Sequence, residues 1–327
     1  MSQEVRPTES LSDTLLLQLK AIVLEAEGIA SFEFRHPGDE ELPQFSAGAH
    51  IDVHIEAGLV RQYSLCNNPN ERHRYLIAVQ REATGHGGSR AMHDNLRVGD
   101  LVSIGTPRNF FSIAPSARRH LLIAGGIGIT PMMAMVEELE ARGEEYLLHF
   151  CARSREKTPF LDRLTPLVRA GNVKLHYDGG NPLRGLDLAT TLKDPEADTH
   201  LYYCGPPGFM EAAATAASHW SEGTVHFEHF SAPVSADAKG NRPFKVRLVR
   251  SKLELDIPSN KTIVEILREH DVFIETSCKQ GYCGTCLTRY VEGQPEHRDS
   301  VLSEDDRKNF VLICCARSIS TELVLDL

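Results

Sequence analysis

The chain has 327 residues, 41% of them hydrophobic and 24% charged, with a formal net charge of −10 at pH 7. That length suits two or three domains. The acidic balance argues against nucleic acid and anionic membrane surfaces as partners, since both select basic patches. It favours solubility and an acidic docking face for a protein partner.

Residues 1–14 read as a polar tail, without the basic start and apolar core of a secretory leader. Residues 15–114 alternate in short stretches, among them His50-Ile51-Asp52-Val53-His54-Ile55 and Tyr75-Leu76-Ile77-Ala78-Val79, separated by turn signals such as Asn67-Asn68-Pro69-Asn70. This pattern predicts an antiparallel β-barrel. Inside it, Arg61-Gln62-Tyr63-Ser64 places a guanidinium able to hold a phosphate two residues from an aromatic ring and three from a hydroxyl. Downstream, Gly85-His86-Gly87-Gly88-Ser89 can form an anion-binding turn from backbone amides and the Ser89 hydroxyl. Taken singly, each is equally compatible with a surface strand or a solvated loop.

The pattern changes over residues 118–229. His120-Leu121-Leu122-Ile123-Ala124 is a continuous apolar run, as expected of a buried parallel strand. Gly125-Gly126-Ile127-Gly128-Ile129-Thr130-Pro131 follows and opens a helical stretch that runs to Ala141. Such a turn lets a pyrophosphate approach a helix N-terminus closely, and proline suits the first helical turn. The run 121–136 is too short and too broken by glycine and proline to span a bilayer. Two more strand-like runs, Tyr146 to Cys151 and Thr199 to Cys204, complete a Rossmann-like α/β domain. A second glycine turn, Cys204-Gly205-Pro206-Pro207-Gly208, ends the last of them and is expected beside the first at the C-terminal edge of the sheet. Asp178 could repel a 2′-phosphate and so favour NADH, whereas Arg153 and Arg155 could welcome one.

Residues 231–243 have linker composition, and 244–327 alternate again around one helical stretch, Thr262 to His270. This last segment carries Cys278, Cys283 and Cys286 in the spacing C-x4-C-x2-C, with the adjacent pair Cys314 and Cys315 further on. That is the ligand spacing of a plant-type [2Fe–2S] cluster, and a poor match to paired zinc motifs. Gly281 and Gly284 let the loop turn tightly around the sulfides. Which of the two adjacent cysteines is the fourth ligand stays open on chemistry alone. Cysteines clustered in this way indicate a reducing compartment, so a cytoplasmic location is expected.

The motifs R-Q-Y-S, G-H-G-G-S, P-R-N-F-F, G-G-I-G-I-T-P, C-G-P-P-G-F-M and C-x4-C-x2-C-x27-C occur in that order. Together they resemble the phthalate dioxygenase reductase family, which includes vanillate demethylase reductases. The resemblance covers nearly the whole chain. It implies a flavin-binding barrel holding FMN, an NADH-binding α/β domain and a C-terminal β-grasp ferredoxin domain. It implies flavin contacts at Arg61, Gln62, Tyr63, Ser64, Val79, Gln80, Arg81, Gly87, Gly88, Ser89 and Thr130, with Phe230 lying against the ring. His86 departs from the arginine of a close relative. Gly125, Gly126, Gly128, Pro131, Gly205 and Pro206 would serve the dinucleotide, and Thr130 and Cys204 would flank the nicotinamide. The resemblance selects Cys314 as the fourth cluster ligand. The implied function is electron transfer from NADH through FMN and the [2Fe–2S] cluster to a Rieske-type terminal oxygenase, by a monomer. Two other readings compete with it: a reductase serving a non-oxygenase acceptor such as a cytochrome, and a redox sensor or scaffold without turnover.

Overall fold

The computed structural model describes residues 14–56, 59–82, 87–230, 240–274, 276, 281, 284–299 and 301–327. The expected tail, most of the expected linker, Gly85, His86, Cys278 and Cys283 lie outside these residues.

Three sheets follow one another along the chain. The first is built from β1 (Thr14–Ala26), β2 (Ile29–Arg35), β3 (His50–Glu56), β4 (Leu59–Ser64), β5 (Tyr75–Gln80) and β6 (Leu101–Gly105). Its order is β4-β3-β6-β1-β2-β5 and every described pairing is antiparallel. A bridge between Leu65 and Ile77 brings the two outer strands together and closes the barrel. Alternate residues turn inward, Leu17, Leu19, Phe32, Phe34, Ile51, Val53, Tyr75 and Ile77 among them, and form its core. Helix α1 (Gly88–Asn95) follows β5 and plugs the barrel with Met92.

The second sheet comprises β7 (Arg119–Gly125), β8 (Glu145–Ala152), β9 (Val173–Tyr177), β10 (Thr199–Cys204) and β11 (Val225–Glu228). Helices α2 (Ile129–Arg142), α3 (Leu161–Ala170), α4 (Leu188–Thr191) and α5 (Pro207–Ala216) connect these strands. The order β11-β10-β7-β8-β9 is parallel throughout. The chain leaves β7 towards β8 on one side and returns to β10 on the other. The carboxyl ends of β7 and β10 therefore flank a topological switch point, the place where doubly wound sheets bind ligands.

The third sheet contains β12 (Phe244–Leu248), β13 (Glu254–Ile257), β14 (Leu287–Glu292), β16 (Phe310–Leu312) and β18 (Glu322–Leu325), in the order β13-β12-β18-β14-β16. A small ribbon pairs β15 (Pro295–Glu296) with β17 (Arg317–Ser318). β12 and β18 are parallel at the centre, and the remaining pairs are antiparallel. Helix α6 (Ile263–Glu269) lies across this sheet and buries Ile263, Val264, Ile266 and Leu267. Its start is fixed by a capping box in which the Thr262 hydroxyl accepts from the Glu265 N–H while the Glu265 carboxylate accepts from Thr262. Among the described residues no helix is long and apolar enough to cross a membrane.

Candidate functional site

The two glycine turns meet at the switch point. β7 ends at Gly125 and β10 at Cys204, and their last residues are in register, Ala124 beside Cys204. Backbone approaches backbone so closely that a Cβ on Gly128 would land on the Cys204 carbonyl. Only glycine permits this contact. Thr130 is buried and its hydroxyl donates to the Ile127 carbonyl at 3.0 Å, closing the turn that starts α2. Pro131 follows in the first turn of α2, where no N–H is required. Pro206 and Pro207 open α5 in the same manner. The N-termini of both helices thus face one edge of the sheet, where they favour negative charge.

At the seam between this sheet and the barrel, four polar side chains converge. Glu228, the last residue of β11, stands in register beside Cys204. The Ser64 hydroxyl donates to Glu228 Oε2 at 3.2 Å, and His50 Nδ1 lies 3.6 Å from Oε1. Burial, reinforced by the Glu228 carboxylate, pushes the Cys204 thiol well above its ordinary range, so it is held neutral. Phe230, two residues beyond Glu228, is half-buried and packs against the core of the parallel sheet. Sequence reasoning missed Glu228. The signal available was its position at the end of the run His226-Phe227-Glu228, a strand parallel to the one that ends in Cys204.

The barrel edge carries the candidate flavin contacts. The Arg61 side chain lies across Gly88 at the N-terminus of α1, where a Cβ would come within 2.5 Å of it. Gly87 precedes the helix in a left-handed conformation, φ 80°. A guanidinium laid over amides at a helix start is a cradle suited to a phosphate group. Ser89 Oγ accepts from the Glu82 N–H at 3.1 Å and ties the turn to the end of β5. Tyr63 is half-buried, and burial pushes its phenol above the usual range, so the hydroxyl stays protonated. Val79 is buried in the barrel core, and Gln80 ends β5 on the surface. Arg81 and Gln62 turn elsewhere. Arg81 pairs with Asp94 of α1 at 3.0 Å, and Gln62 Nε2 donates to Thr285 Oγ1 at 3.4 Å, across the seam with the third sheet.

Asp178 follows β9, at the far edge of the parallel sheet. Its Oδ1 accepts from the Gly180 N–H at 2.7 Å. The Gly179 N–H donates to the Arg153 carbonyl at 2.9 Å, so Asp178 and Arg153 share one surface corner at the β8–β9 edge of the sheet, away from β10.

In the third sheet, Cys286 immediately precedes β14 and Cys314 follows β16 by two residues. Those strands pair antiparallel with Leu287 opposite Leu312, which carries the two cysteines to the same end of the pair. Both are buried, at 1% and 3% exposure, in one core. The Cys315 thiol instead points at the Leu312 carbonyl, 3.5 Å away, and fills the space beside Gly281 where a Cβ would stand 2.5 Å from its sulfur. Gly281 and Gly284 both adopt left-handed conformations, φ 81° and 72°. Two buried thiols brought together by one strand pair, beside a loop turned at two glycines, suit a thiolate-held cluster.

Comparison with known proteins agrees with these two regions. Residues 17–112 match the oxidoreductase FAD-binding domain family, and residues 246–318 match the 2Fe-2S iron-sulfur cluster binding domain family. The chain is 45% identical over 326 residues to the tert-butanol monooxygenase / tert-amyl alcohol desaturase reductase subunit of Aquincola tertiaricarbonis, covering 96% of each chain. A solved phthalate dioxygenase reductase superimposes with a TM-score of 0.72 at 41% identity, covering 96% of this chain and 98% of that one. A solved type IV self-sufficient cytochrome P450 monooxygenase superimposes with a TM-score of 0.90 at 33% identity, covering all of this chain and 43% of that one. With its flavin-binding barrel, α/β domain and 2Fe–2S ferredoxin domain, the chain is an oxidoreductase belonging to the phthalate dioxygenase reductase family.

Proposed function

We propose that this chain is the reductase component of a Rieske-type oxygenase, drawing electrons from NADH and holding FMN and one [2Fe–2S] cluster. A flavin takes electrons as a pair from a nicotinamide and releases them singly, which suits a cluster that accepts one at a time.

The chain's own residues bind, orient and insulate. Arg61, with the amides of Gly87, Gly88 and Ser89 at the start of α1, holds the single phosphate of FMN. Tyr63 and Phe230 would supply aromatic contacts to the ring system. Gly125, Gly126, Gly128, Pro131, Gly205 and Pro206 admit the pyrophosphate of NADH between the N-termini of α2 and α5. Thr130 and Cys204 would line the nicotinamide position, the Cys204 thiol neutral beside the Glu228 carboxylate. Ser64 and His50 fix Glu228 beside them. Asp178 discourages a 2′-phosphate. Cys278, Cys283, Cys286 and Cys314 bind the cluster, the orientation of Cys315 towards Leu312 favouring Cys314 as the fourth ligand. We read the protein as a cytoplasmic monomer; thiolate ligation of a cluster suits a reducing compartment.

The observation that carries this reading is the convergence of Ser64, Glu228 and Cys204 where the flavin-binding barrel meets the two glycine turns. A protein that only reported redox state would have no use for a built hydride-donor site. The second reading, a cytochrome as electron acceptor, draws support from the 33% identity to a cytochrome P450 monooxygenase.

Anaerobic titration of the holoprotein with NADH and NADPH tests the proposal. NADH should bleach both flavin and cluster absorbance, with the higher kcat/KM, and the released flavin should resist phosphodiesterase. A strong NADPH preference, or a flavin that phosphodiesterase cleaves, overturns the cofactor assignment. Turnover with a cytochrome but with no Rieske oxygenase overturns the partner.

A further inference from the structure

The motif Pro107-Arg108-Asn109-Phe110-Phe111 has no place in the phosphate, nicotinamide or cysteine sites, yet its residues meet the third sheet at one point. Arg108 exchanges both backbone hydrogen bonds with His50, at 2.9 and 3.0 Å, which fixes its main chain to β3. Its guanidinium donates through Nη2 to Asp52 Oδ2 at 2.6 Å and to Thr285 Oγ1 at 3.1 Å. Asp52 is buried at 5% exposure. The carboxylate therefore neutralises the guanidinium and holds its orientation, leaving it aimed across the seam. Thr285 stands between the candidate ligands Cys283 and Cys286. Its neighbour Gly284 rests on the Phe110 ring, where a Cβ would come within 2.5 Å of the ring carbons. The same ring stacks on His50, with centroids 5.9 Å apart and planes at 27°. The barrel thus offers the cysteine loop a polar latch and an apolar seat side by side, and His50 links both to the Glu228 seam.

We propose that Arg108, braced by Asp52, is a positioning residue that docks the cluster loop on the flavin-binding barrel, with the Thr285 hydroxyl as its acceptor and Phe110 as its seat. The inference rests on the functional reading above. The chemistry requires only separation control. Each single electron leaving the barrel for the loop crosses this seam, and its rate falls steeply with distance. A hydrogen bond from a charged donor contributes enough to shift the docked population about tenfold. Glycine at 284 lets the ring reach the loop, and any larger residue would hold the two apart.

The test uses full-length holoprotein carrying Arg108→Gln, Thr285→Val or Thr285→Ser. Stopped-flow spectra after mixing with NADH separate flavin bleaching from cluster bleaching, iron content is measured in each variant, and hydrogen exchange is followed at residues 107–111 and 284–287. Arg108→Gln and Thr285→Val should slow cluster bleaching about tenfold while flavin bleaching stays near wild type, and should raise exchange at both segments. Thr285→Ser, which keeps the hydroxyl, should behave as wild type in both readouts. Unchanged cluster bleaching and exchange in Arg108→Gln would overturn the proposal. So would a Thr285→Ser variant as slow as Thr285→Val at full iron content. If Thr285→Val loses iron, Arg108→Gln and Asp52→Asn decide by the same two readouts. A wild-type protein whose flavin NADH cannot bleach would sink the functional reading instead, and the exchange comparison would still judge the latch.

Discussion

The barrel meets its two neighbours through different chemistry. Towards the parallel sheet it presents Ser64 and His50, which grip the carboxylate of Glu228 beside a fully buried Cys204. Towards the third sheet it presents Arg108 and Gln62, which share a single hydroxyl, Thr285, and the half-exposed ring of Phe110. The first seam is dry and charge-bearing, suited to holding a nicotinamide in one geometry, because hydride transfer tolerates little misplacement. The second rests on one neutral hydroxyl, a guanidinium already neutralised by Asp52, and one ring. Under the proposed function, the first seam serves the paired transfer and the second the single ones.

The largest expected effect lies at the cysteine end. Cys286→Ser should abolish the cluster absorbance and reduction of any partner, yet leave flavin bleaching by NADH near normal. Loss of flavin bleaching in a folded, flavin-loaded Cys286→Ser protein would show that the two seams are not functionally separate. Next comes Gly128→Ala. The added methyl drives against the Cys204 carbonyl, an overpacking that typically costs about 1–3 kcal/mol. It should depress NADH-driven flavin bleaching while a chemical reductant still reduces both centres, and equal sensitivity to the two reductants would contradict the assignment of the glycine turns.

Glu228→Gln keeps the shape of the first seam and removes its charge. A misoriented nicotinamide should lower the flavin bleaching rate by up to about 10²-fold with little change in cluster reduction by dithionite. A wild-type rate in Glu228→Gln would reduce Glu228 to a packing residue.

The smallest effect is on stability against pH. His149 stacks on His176, and His200 on His226, as cross-strand pairs of the parallel sheet. Burial, aided by the paired ring, pushes His149 and His226 down to about 4. The folded state therefore binds fewer protons than the unfolded one between about pH 6.5 and 4, so the α/β domain loses stability as pH falls through that window. Melting curves from pH 8 to 5 should show this slope, and His226→Gln should reduce it, leaving the His149 contribution. An unaltered slope in that variant would remove the histidine pairs as its source.

What the sequence disclosed, and what it concealed, follows from separation along the chain. The run His120 to Ala124, the two glycine turns and the Thr262 helix start are local signals, and the structure forms β7, the paired turns and α6 from them. Helix α1 escaped notice because Gly88-Ser89-Arg90 is a weak helix opening; it forms because Ala91 and Met92 bury against the barrel. Pattern marks Glu228 only as a strand end and Thr285 not at all, so neither contact could be read from it. Their partners, Ser64 and Arg108, lie 164 and 177 residues away, and no short-range spacing encodes such a contact. Chemistry alone does not separate Cys314 from Cys315; the resemblance selects Cys314, and the Cys315 thiol lies against the Leu312 carbonyl.

Anaerobic stopped-flow mixing of the holoprotein with NADH tests the central claim most directly. The account predicts two resolved phases, flavin bleaching first and cluster bleaching second, with the second phase alone slowed by Arg108→Gln. Simultaneous bleaching of both centres, or cluster bleaching ahead of flavin, would contradict it.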